Sequence, residues 1–159
     1  MDTQLKTFIL EIMATSRDMS LATLREDGYP QANLVSYAND DFLIYFATAR
    51  DSSKVRNIAF CEKVSLTINT PYNDWPELRA LSMAATAQIL PDDSAECAHA
   101  VRLLARKFSS VWDMVPQDQT GQTLVIRVQP WLISALDYRQ GFGHATLVSV
   151  PGFKPVTGS

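Results

Sequence analysis

The sequence has little of several features that define whole classes of protein. Its two cysteines, Cys61 and Cys97, lie far apart and have no neighbours at zinc-ligand spacing, so neither a disulfide framework nor a metal site is expected. No apolar run approaches the roughly 18 residues that a membrane-spanning helix needs. Charged residues interrupt the first twenty positions, which disfavours a signal peptide and makes the cytoplasm the expected location.

The sequence also has few charged residues and a small net charge. Charged residues make up 19% of the chain and the net charge is -3. A domain that grips nucleic acid normally carries a basic excess, so neither a nucleic-acid nor a membrane partner is expected. The 47% of hydrophobic residues suffices for one globular domain, which we assign to residues 1–150, with a flexible C-terminal tail over 151–159.

Apolar residues at helical spacing predict helices over 3–15, 52–60 and 93–108. Asp2 or Thr3 is expected to cap the first helix. Asp93 is expected to cap the third, with Glu96 completing a capping box. The predicted buried stripe of the third helix consists of Ala98, Val101, Leu104, Ala105 and Phe108.

Alternating and apolar runs between turn residues predict six strands. Asp27-Gly28 and Asn39-Asp40-Asp41 are the expected tight turns. The strand over 42–48 is apolar on both faces, so a helix or another subunit is expected to cover its outer side. The hairpin order favours an antiparallel β-barrel with a few helices, followed by a turn-rich tail from Gly141. The segment 123–138 is expected as one long strand or as two, bent at Pro130. The predicted strands are 19–24, 31–38, 42–48, 63–69, 80–90 and 123–138.

A polar turn, Asp51-Ser52-Ser53, precedes the second helix. Lys54 and Arg56 follow in its first turns, where the helix dipole disfavours cations. Asp and Ser are common N-caps, so the turn could serve the helix alone. A bound phosphate monoester would also explain the pattern, because Ser52 and Ser53 could donate hydrogen bonds to it and Lys54 could neutralise it.

Residues 19–69 resemble the FMN-binding split-barrel family, the relatives of pyridoxamine 5'-phosphate oxidase. The resemblance lies in the order and spacing of MSLATLREDGYPQANLVSYANDDFLIYFATARDSSKVRNI followed by KVSLTIN. It implies a mainly β fold, a six-stranded antiparallel split β-barrel with flanking helices. It also implies FMN as the cofactor and a homodimer with the flavin at the subunit interface.

The same resemblance assigns residues to the cofactor. Those along the flavin ring are Asn33, Leu34, Val35 and Ser36. Those beside the ribityl chain and phosphate are Ala47, Thr48, Ala49, Ser52, Ser53, Lys54 and Asn57, and those from the second subunit are Tyr138, Phe142 and His144. Ser53 stands where the family usually has Arg, and Arg50 or Arg56 is expected to compensate. No catalytic residue is predicted.

Several of these assignments have a structural alternative. Asn33 and Ser36 could simply alternate outward on a half-buried strand. Tyr138 could be an aromatic at the barrel end, and His144 a solvated loop residue. The three tryptophans, Trp75, Trp112 and Trp131, are expected in the core or an interface, with Trp75 also a candidate to cover a ligand mouth. His99 is given no role.

The expected function is FMN-dependent oxidoreduction of a small molecule. No Ser–His–Asp or HExxH pattern is present, and hydride transfer to a flavin needs neither. The ending PGFKPVTGS lacks the basic C-terminal stretch of true pyridoxamine phosphate oxidases, so that activity is not expected. The alternatives are an FMN-binding sensor or storage protein, a haem-related split-barrel protein using His144, and a β-barrel interaction domain without a flavin. The sequence does not decide between FMN, the deazaflavin F420 and haem.

Overall fold

The fold is described by a computed structural model, which covers residues 1–109 and 121–155. Trp112 lies outside the described residues. The helices are α1 (Thr3–Thr15), α2 (Ser53–Phe60) and α3 (Ala95–Lys107), and 3-10 turns lie at 75–77 and 138–140. The strands are β1 (Asp18–Leu24), β2 (Pro30–Ser36), β3 (Ala38–Asp40), β4 (Leu43–Ala49), β5 (Lys63–Asn69), β6 (Arg79–Ile89), β7 (Thr123–Asp137) and β8 (Ala145–Ser149).

The strands form one antiparallel sheet in the order β2-β1-β5-β6-β7-β4-β3, and β8 also pairs with β7. This is the predicted antiparallel half-barrel with flanking helices. The described residues form eight strands, where the sequence predicts six. β3 lies within the expected turn at 39–41, and the chain instead reverses at Asp41, whose φ is +52°. β8 lies in the expected turn-rich tail and pairs with Leu132–Leu136.

Period-two alternation places the core on the concave side of the sheet. β5 reads exposed, buried, exposed throughout, with Val64, Leu66 and Ile68 inside. α1 and α2 add their apolar faces to the same core cluster, including Ile12 of α1 and Ile58 of α2. At Pro130, which has no N–H for the ladder, the register with β6 shifts between Ala84 and Ala85.

α3 covers the outer side of β4. Tyr45 and Val125 pack against Cys97 and Ala100. The apolar outer side of β4 is therefore covered by a helix of the same chain. The apolar residues of β4 give no support to a subunit contact there. The Tyr45 hydroxyl donates to Glu96 Oε2 at 3.0 Å, and burial raises the pKa of Tyr45 to about 12.

The predicted N-cap of α3 is wrong by one residue. Ser94, not Asp93, is the N-cap, and its Oγ accepts from the Cys97 N–H at 3.1 Å. Glu96 does not close a capping box, and both of its carboxylate oxygens bind Arg127. The predicted buried stripe is confirmed at Leu104 and Phe108 and is wrong at Ala98, which is exposed. Val101 and Ala105 are half-buried, and Cys97 and Ala100 are also buried.

Among the described residues, no helix has both the length and the apolar character needed to cross a membrane. In the same part of the chain, no group of three or more His, Cys, Asp or Glu side chains is placed to hold a metal ion.

Candidate functional site

The N-terminus of α2 is built by two hydroxyls. Ser52 is the N-cap, and its Oγ accepts from the Val55 N–H at 3.4 Å. The Thr48 hydroxyl at the end of β4 donates to the same Oγ at 3.2 Å. The structural interpretation of the polar turn therefore holds for Ser52, and a phosphate here would rely mainly on Ser53 and Lys54.

A polar network joins α2 to the first hairpin. The Gln31 side-chain amide donates to Ser53 Oγ at 2.9 Å. The buried Asn57 amide donates to Thr23 Oγ1 at 3.0 Å and to Gln31 Oε1 at 3.1 Å. Asn57 is thus an anchor for α2. Sequence reasoning missed Gln31 and Thr23, although Gln31 shares the inner face of β2 with Asn33 by the period of two.

The cations near this turn differ in what they contact. Arg50 is paired with Asp92 at 2.8 Å, and Arg56 donates to the Asp51 carbonyl at 2.6 Å. Arg50 therefore already has a carboxylate partner, whereas Arg56 is held only by a neutral carbonyl and stays the candidate to compensate for the absent arginine at position 53. Lys54 is half-buried and has no ion pair or hydrogen bond within residues 1–109 and 121–155.

β2 is an edge strand with unpaired backbone groups. The Tyr37 N–H donates to the Arg17 carbonyl and the Arg25 N–H to the Tyr29 carbonyl, which places the odd-numbered residues of β2 in the hydrogen-bonded pairs with β1. The backbone groups of Leu34 and Ser36 consequently point to the free edge. On the inner face, Asn33 Oδ1 is buried and has no hydrogen-bond partner in the part of the chain that the structure describes.

The remaining predicted contacts on β2 and β4 differ in orientation. Val35 is buried in the core, whereas Leu34 is 74% exposed on the outer face. Ser36 is exposed, and its hydroxyl donates to Asp18 at 2.7 Å. Ala47 packs towards α3 and Ala49 is exposed, so these two could serve a ligand only through their backbone groups.

The C-terminal end of β2 is held firmly in place. The Tyr37 hydroxyl donates to the Met13 carbonyl at 2.6 Å, and burial raises the pKa of Tyr37. Lys107 Nζ lies 4.0 Å from the Tyr37 ring centroid and donates to the Ser16 carbonyl at 2.5 Å. Burial lowers the pKa of Lys107 to about 8.

The three residues predicted to serve a second subunit lie away from β2, and they divide into two groups. Tyr138 and Phe142 contact each other with ring centroids 5.4 Å apart. His144 instead lines a cavity of about 360 Å³ between α1 and the end of β7, with Arg139 and Gln4. Another cavity, of about 430 Å³, lies on the outer face beside Trp131 and is lined by none of the predicted site residues.

A buried carboxylate fixes the 138–140 turn. Asp137 accepts from Arg139 Nε at 2.8 Å, from Arg139 Nη2 at 2.9 Å and from Gln140 Nε2 at 3.2 Å. These hydrogen bonds, led by that of Arg139, lower the pKa of Asp137 to about 2. The turn that carries Tyr138 is therefore rigidly attached to β7.

Solved structures with the same architecture include three proteins described by their ligands. A haem-binding protein from Mycobacterium smegmatis superposes with a TM-score of 0.76 at 17% identity; the match covers 94% of this chain but only 59% of that protein. HutZ, a haem storage protein from Vibrio cholerae, gives 0.68 at 18% identity, over 79% of this chain and 89% of that one. An FAD-binding protein from Mesorhizobium loti gives 0.66 at 17% identity, over 85% and 94%. These identities establish the fold alone.

No protein of curated function matches the sequence. The family profile described as pyridoxamine 5'-phosphate oxidase matches residues 3–134, which is most of the chain. That span includes both β2 and the start of α2. The chain therefore belongs to the pyridoxamine 5'-phosphate oxidase family of split-barrel proteins, whose members commonly bind flavins.

Proposed function

We propose that this protein binds FMN and uses it to transfer hydride to or from a small molecule. The observation that carries the proposal is Lys54, a half-buried cation at the start of α2 with no partner among the described residues. A charge in that position is costly unless an anion joins it, because the helix N-terminus is itself partially positive.

The residues present fit an FMN molecule. Lys54 and the Ser53 hydroxyl would hold the phosphate, with Thr48 beside them. The free backbone groups of Leu34 and Ser36 would face the polar edge of the ring. Asn33 Oδ1, buried and without a partner, would gain a donor from the ligand.

When bound, the flavin supplies the hydride chemistry, and the protein contributes binding and orientation. Tyr37 and Lys107 hold the end of β2 in place, and so would fix the backbone groups that would bind the ring edge. The polar network of Gln31, Ser53 and Asn57 fixes α2 relative to β2, and would thereby orient the residues that would hold the phosphate.

Haem is the second candidate ligand, because two proteins of similar structure are described as haem-binding and haem storage proteins. Of the two histidines, His99 is paired with Asp40 at 2.8 Å on the outer side of α3. His144 is exposed and would have to serve as the axial ligand. It lies apart from Lys54 and Asn33, so the unpartnered polar groups favour the flavin.

The proposal includes a homodimer formed through the outer face of the sheet. Three rows of side chains cross this outer face over β2, β1, β5, β6, β7 and β8, and the central row is uncharged: it consists of Leu34, Ser20, Thr67, Ser82, Ser134 and Leu147. Leu147 is 67% exposed. Such a face suits a second copy, because it brings no like charges together.

The cytoplasm remains the proposed location. Both cysteines are free thiols, and Cys97 is buried, which fits a reducing compartment.

Titration of the purified protein with FMN tests the binding site directly. Lys54→Ala is expected to weaken FMN binding by about 1.5–3 kcal/mol, the range for a charge-assisted hydrogen bond. Lys6→Ala is the matched control, since it removes the same charge from an exposed ion pair on α1. Equal affinity of the two variants would remove Lys54 from the phosphate site.

The absorption spectrum separates the candidate functions. A flavin spectrum after reconstitution, bleached rapidly by NADH or NADPH, supports an oxidoreductase. A stable flavin spectrum that neither nucleotide bleaches would favour a sensor or storage protein. A Soret band on haem addition, with no flavin uptake, would identify haem as the ligand in place of FMN.

A further inference from the structure

A cavity of about 430 Å³ opens on the outer face of the sheet, apart from the residues assigned to the flavin. Its floor consists of four short side chains, those of Ala22, Ser65, Ala84 and Thr86. The register of β1, β5 and β6 brings the first three side by side, and the period of two points all four outward. Their small size leaves a depression in the surface. The volume lies at the lower end of the range for small-molecule sites, so a ligand of one or two rings would fit.

One wall of the cavity is the indole of Trp131, which a β-bulge places there. The register between β6 and β7 shifts between Ala84 and Ala85, and Trp131 is the additional residue on β7. A bulge of this kind re-aims the side chain of the additional residue. The Trp131 carbonyl accepts from the Val150 N–H at 3.0 Å, which ties this part of β7 to the end of β8. The indole is half-buried, so it offers a ring surface whose position is already fixed before a ligand binds.

The opposite wall is formed by Leu24 and Pro30, which lie opposite each other in the ladder of β1 and β2. Leu24 is half-buried and Pro30 is exposed. Three strand spacings, about 14 Å, separate β1 from β7. The side chains of Leu24 and Trp131 therefore leave room for a flat ring between them.

Lys63 gives the cavity its charge. Among the described residues that line it, Lys63 contributes the single positive charge and none contributes a negative charge. An ammonium group has three N–H donors, so Lys63 can bind a ligand carboxylate in addition to a protein neighbour. An aromatic wall and one cation together select a flat ring that carries one negative charge.

We infer that this cavity binds a small aromatic monoanion, a carboxylate of one or two rings. Its ring packs between Trp131 and Leu24, and its carboxylate pairs with Lys63. The inference does not depend on the proposed function, because none of the residues that line the cavity is assigned to FMN.

Three probes of similar shape and different charge test the inference: naphthoate, naphthamide and naphthylmethylammonium. Isothermal titration calorimetry of the purified protein should show naphthoate binding about threefold to fivefold more tightly than naphthamide, since the cation is exposed, and the ammonium probe binding most weakly. Lys63→Gln should abolish the preference for naphthoate and leave naphthamide binding unchanged. Trp131→Ala should weaken the binding of both by about tenfold, because it removes the ring wall.

Two matched pairs of variants control for general effects. Ala84→Leu fills the floor of the cavity and should abolish naphthoate binding, whereas Ala80→Leu adds the same volume to the same face of β6 outside the cavity and should leave it unchanged. This pair keeps the inference testable if Trp131→Ala fails to fold. Trp75→Ala is the control for Trp131→Ala, since Trp75 is 64% exposed and does not line the cavity.

The contrary outcomes are distinct. Naphthoate binding that survives Ala84→Leu, or no binding by the wild type, would overturn the inference. Equal affinity for naphthoate and the ammonium probe would overturn the choice of an anion. Saturating FMN should leave the naphthoate affinity unchanged, and displacement by FMN would assign the cavity to the flavin site instead. A protein that binds naphthoate in this cavity but takes up no FMN would refute the proposed function alone.

Discussion

Single charged residues in this molecule fall into two kinds, and the difference indicates where a ligand is missing. Asp137 is buried, yet the guanidinium of Arg139 and the amide of Gln140 satisfy its carboxylate. Lys54 is half-buried and has no such partner among the described residues. Asn33 Oδ1 is likewise left without a donor. Unsatisfied groups of this kind are rare in folded proteins, and here both lie on the two elements that the family resemblance assigns to the cofactor.

Asp137 should make the stability of the protein acid-sensitive. Its pKa falls from 3.8 to about 2 on folding, so the folded state favours the ionised form. The resulting stabilisation is complete above about pH 4 and is lost as the pH falls towards 2. Arg139 is half-exposed, so we expect Asp137→Asn to lower the free energy of unfolding at pH 7 by about 1–2 kcal/mol.

Urea unfolding at pH 7 and at pH 2.5 measures this effect. The difference between wild type and Asp137→Asn should shrink at the lower pH, while Asp93→Asn, an exposed control, should differ little from wild type at either. A difference that is the same at both pH values would mean that the Asp137 carboxylate does not titrate as proposed.

At the scale of helices, the sequence and the structure assign different residues as the N-cap of α3. The sequence predicts Asp93 as the cap, whereas Ser94 Oγ accepts the Cys97 N–H. Ser94→Ala should therefore destabilise the protein by about 1 kcal/mol, and Asp93→Ala should change the free energy of unfolding by less than about 0.5 kcal/mol. Chemical denaturation of both variants decides between the two caps. A larger loss of stability in Asp93→Ala than in Ser94→Ala would identify Asp93 as the N-cap.

The strands predicted best are those with unambiguous alternation. β5 matches its predicted range of 63–69, because its apolar residues occupy every second position. β3 and β8 escaped prediction because three and five residues give too little periodicity, and β8 also lies among turn residues between Gly143 and Pro151. Only pairing with β4 and β7 makes them strands. Their existence depends on tertiary contacts that a local pattern does not contain.

The candidate site could also be predicted only in part, because some of its contacts join residues far apart in sequence. The residues of the polar turn follow one another in sequence, so Ser53 and Lys54 could be singled out. The network that positions them joins Gln31 to Ser53 and Asn57 to Thr23, across 22 and 34 positions. The ion pair between Arg50 and Asp92 is also a contact between residues far apart in sequence. Which cation stays unpaired follows from the fold and not from the motif.

At the scale of the whole molecule, the two sides of the sheet differ in what covers them. The concave side holds the core, and α3 covers the outer side of β4. The outer face, with its central row from Leu34 to Leu147, has no covering element among the described residues. Six strands and three rows of side chains span about 500 Å², which is a large part of the roughly 800 Å² per partner that a stable interface buries.

A charge at the centre of this face should separate the subunits. Ser82 is exposed between Thr67 and Ser134, so Ser82→Arg would bring two guanidinium groups into an uncharged interface and leave the core untouched. Sedimentation or light scattering should show a dimer for wild type and a folded monomer for the variant, with FMN affinity lost in parallel because the proposed flavin site lies at the subunit interface. Ala98→Arg adds the same charge to an exposed position of α3 and should leave the dimer intact. A Ser82→Arg protein that stays dimeric would place the subunit contact on another surface, whereas a monomer that keeps wild-type FMN affinity would show that one subunit alone completes the site.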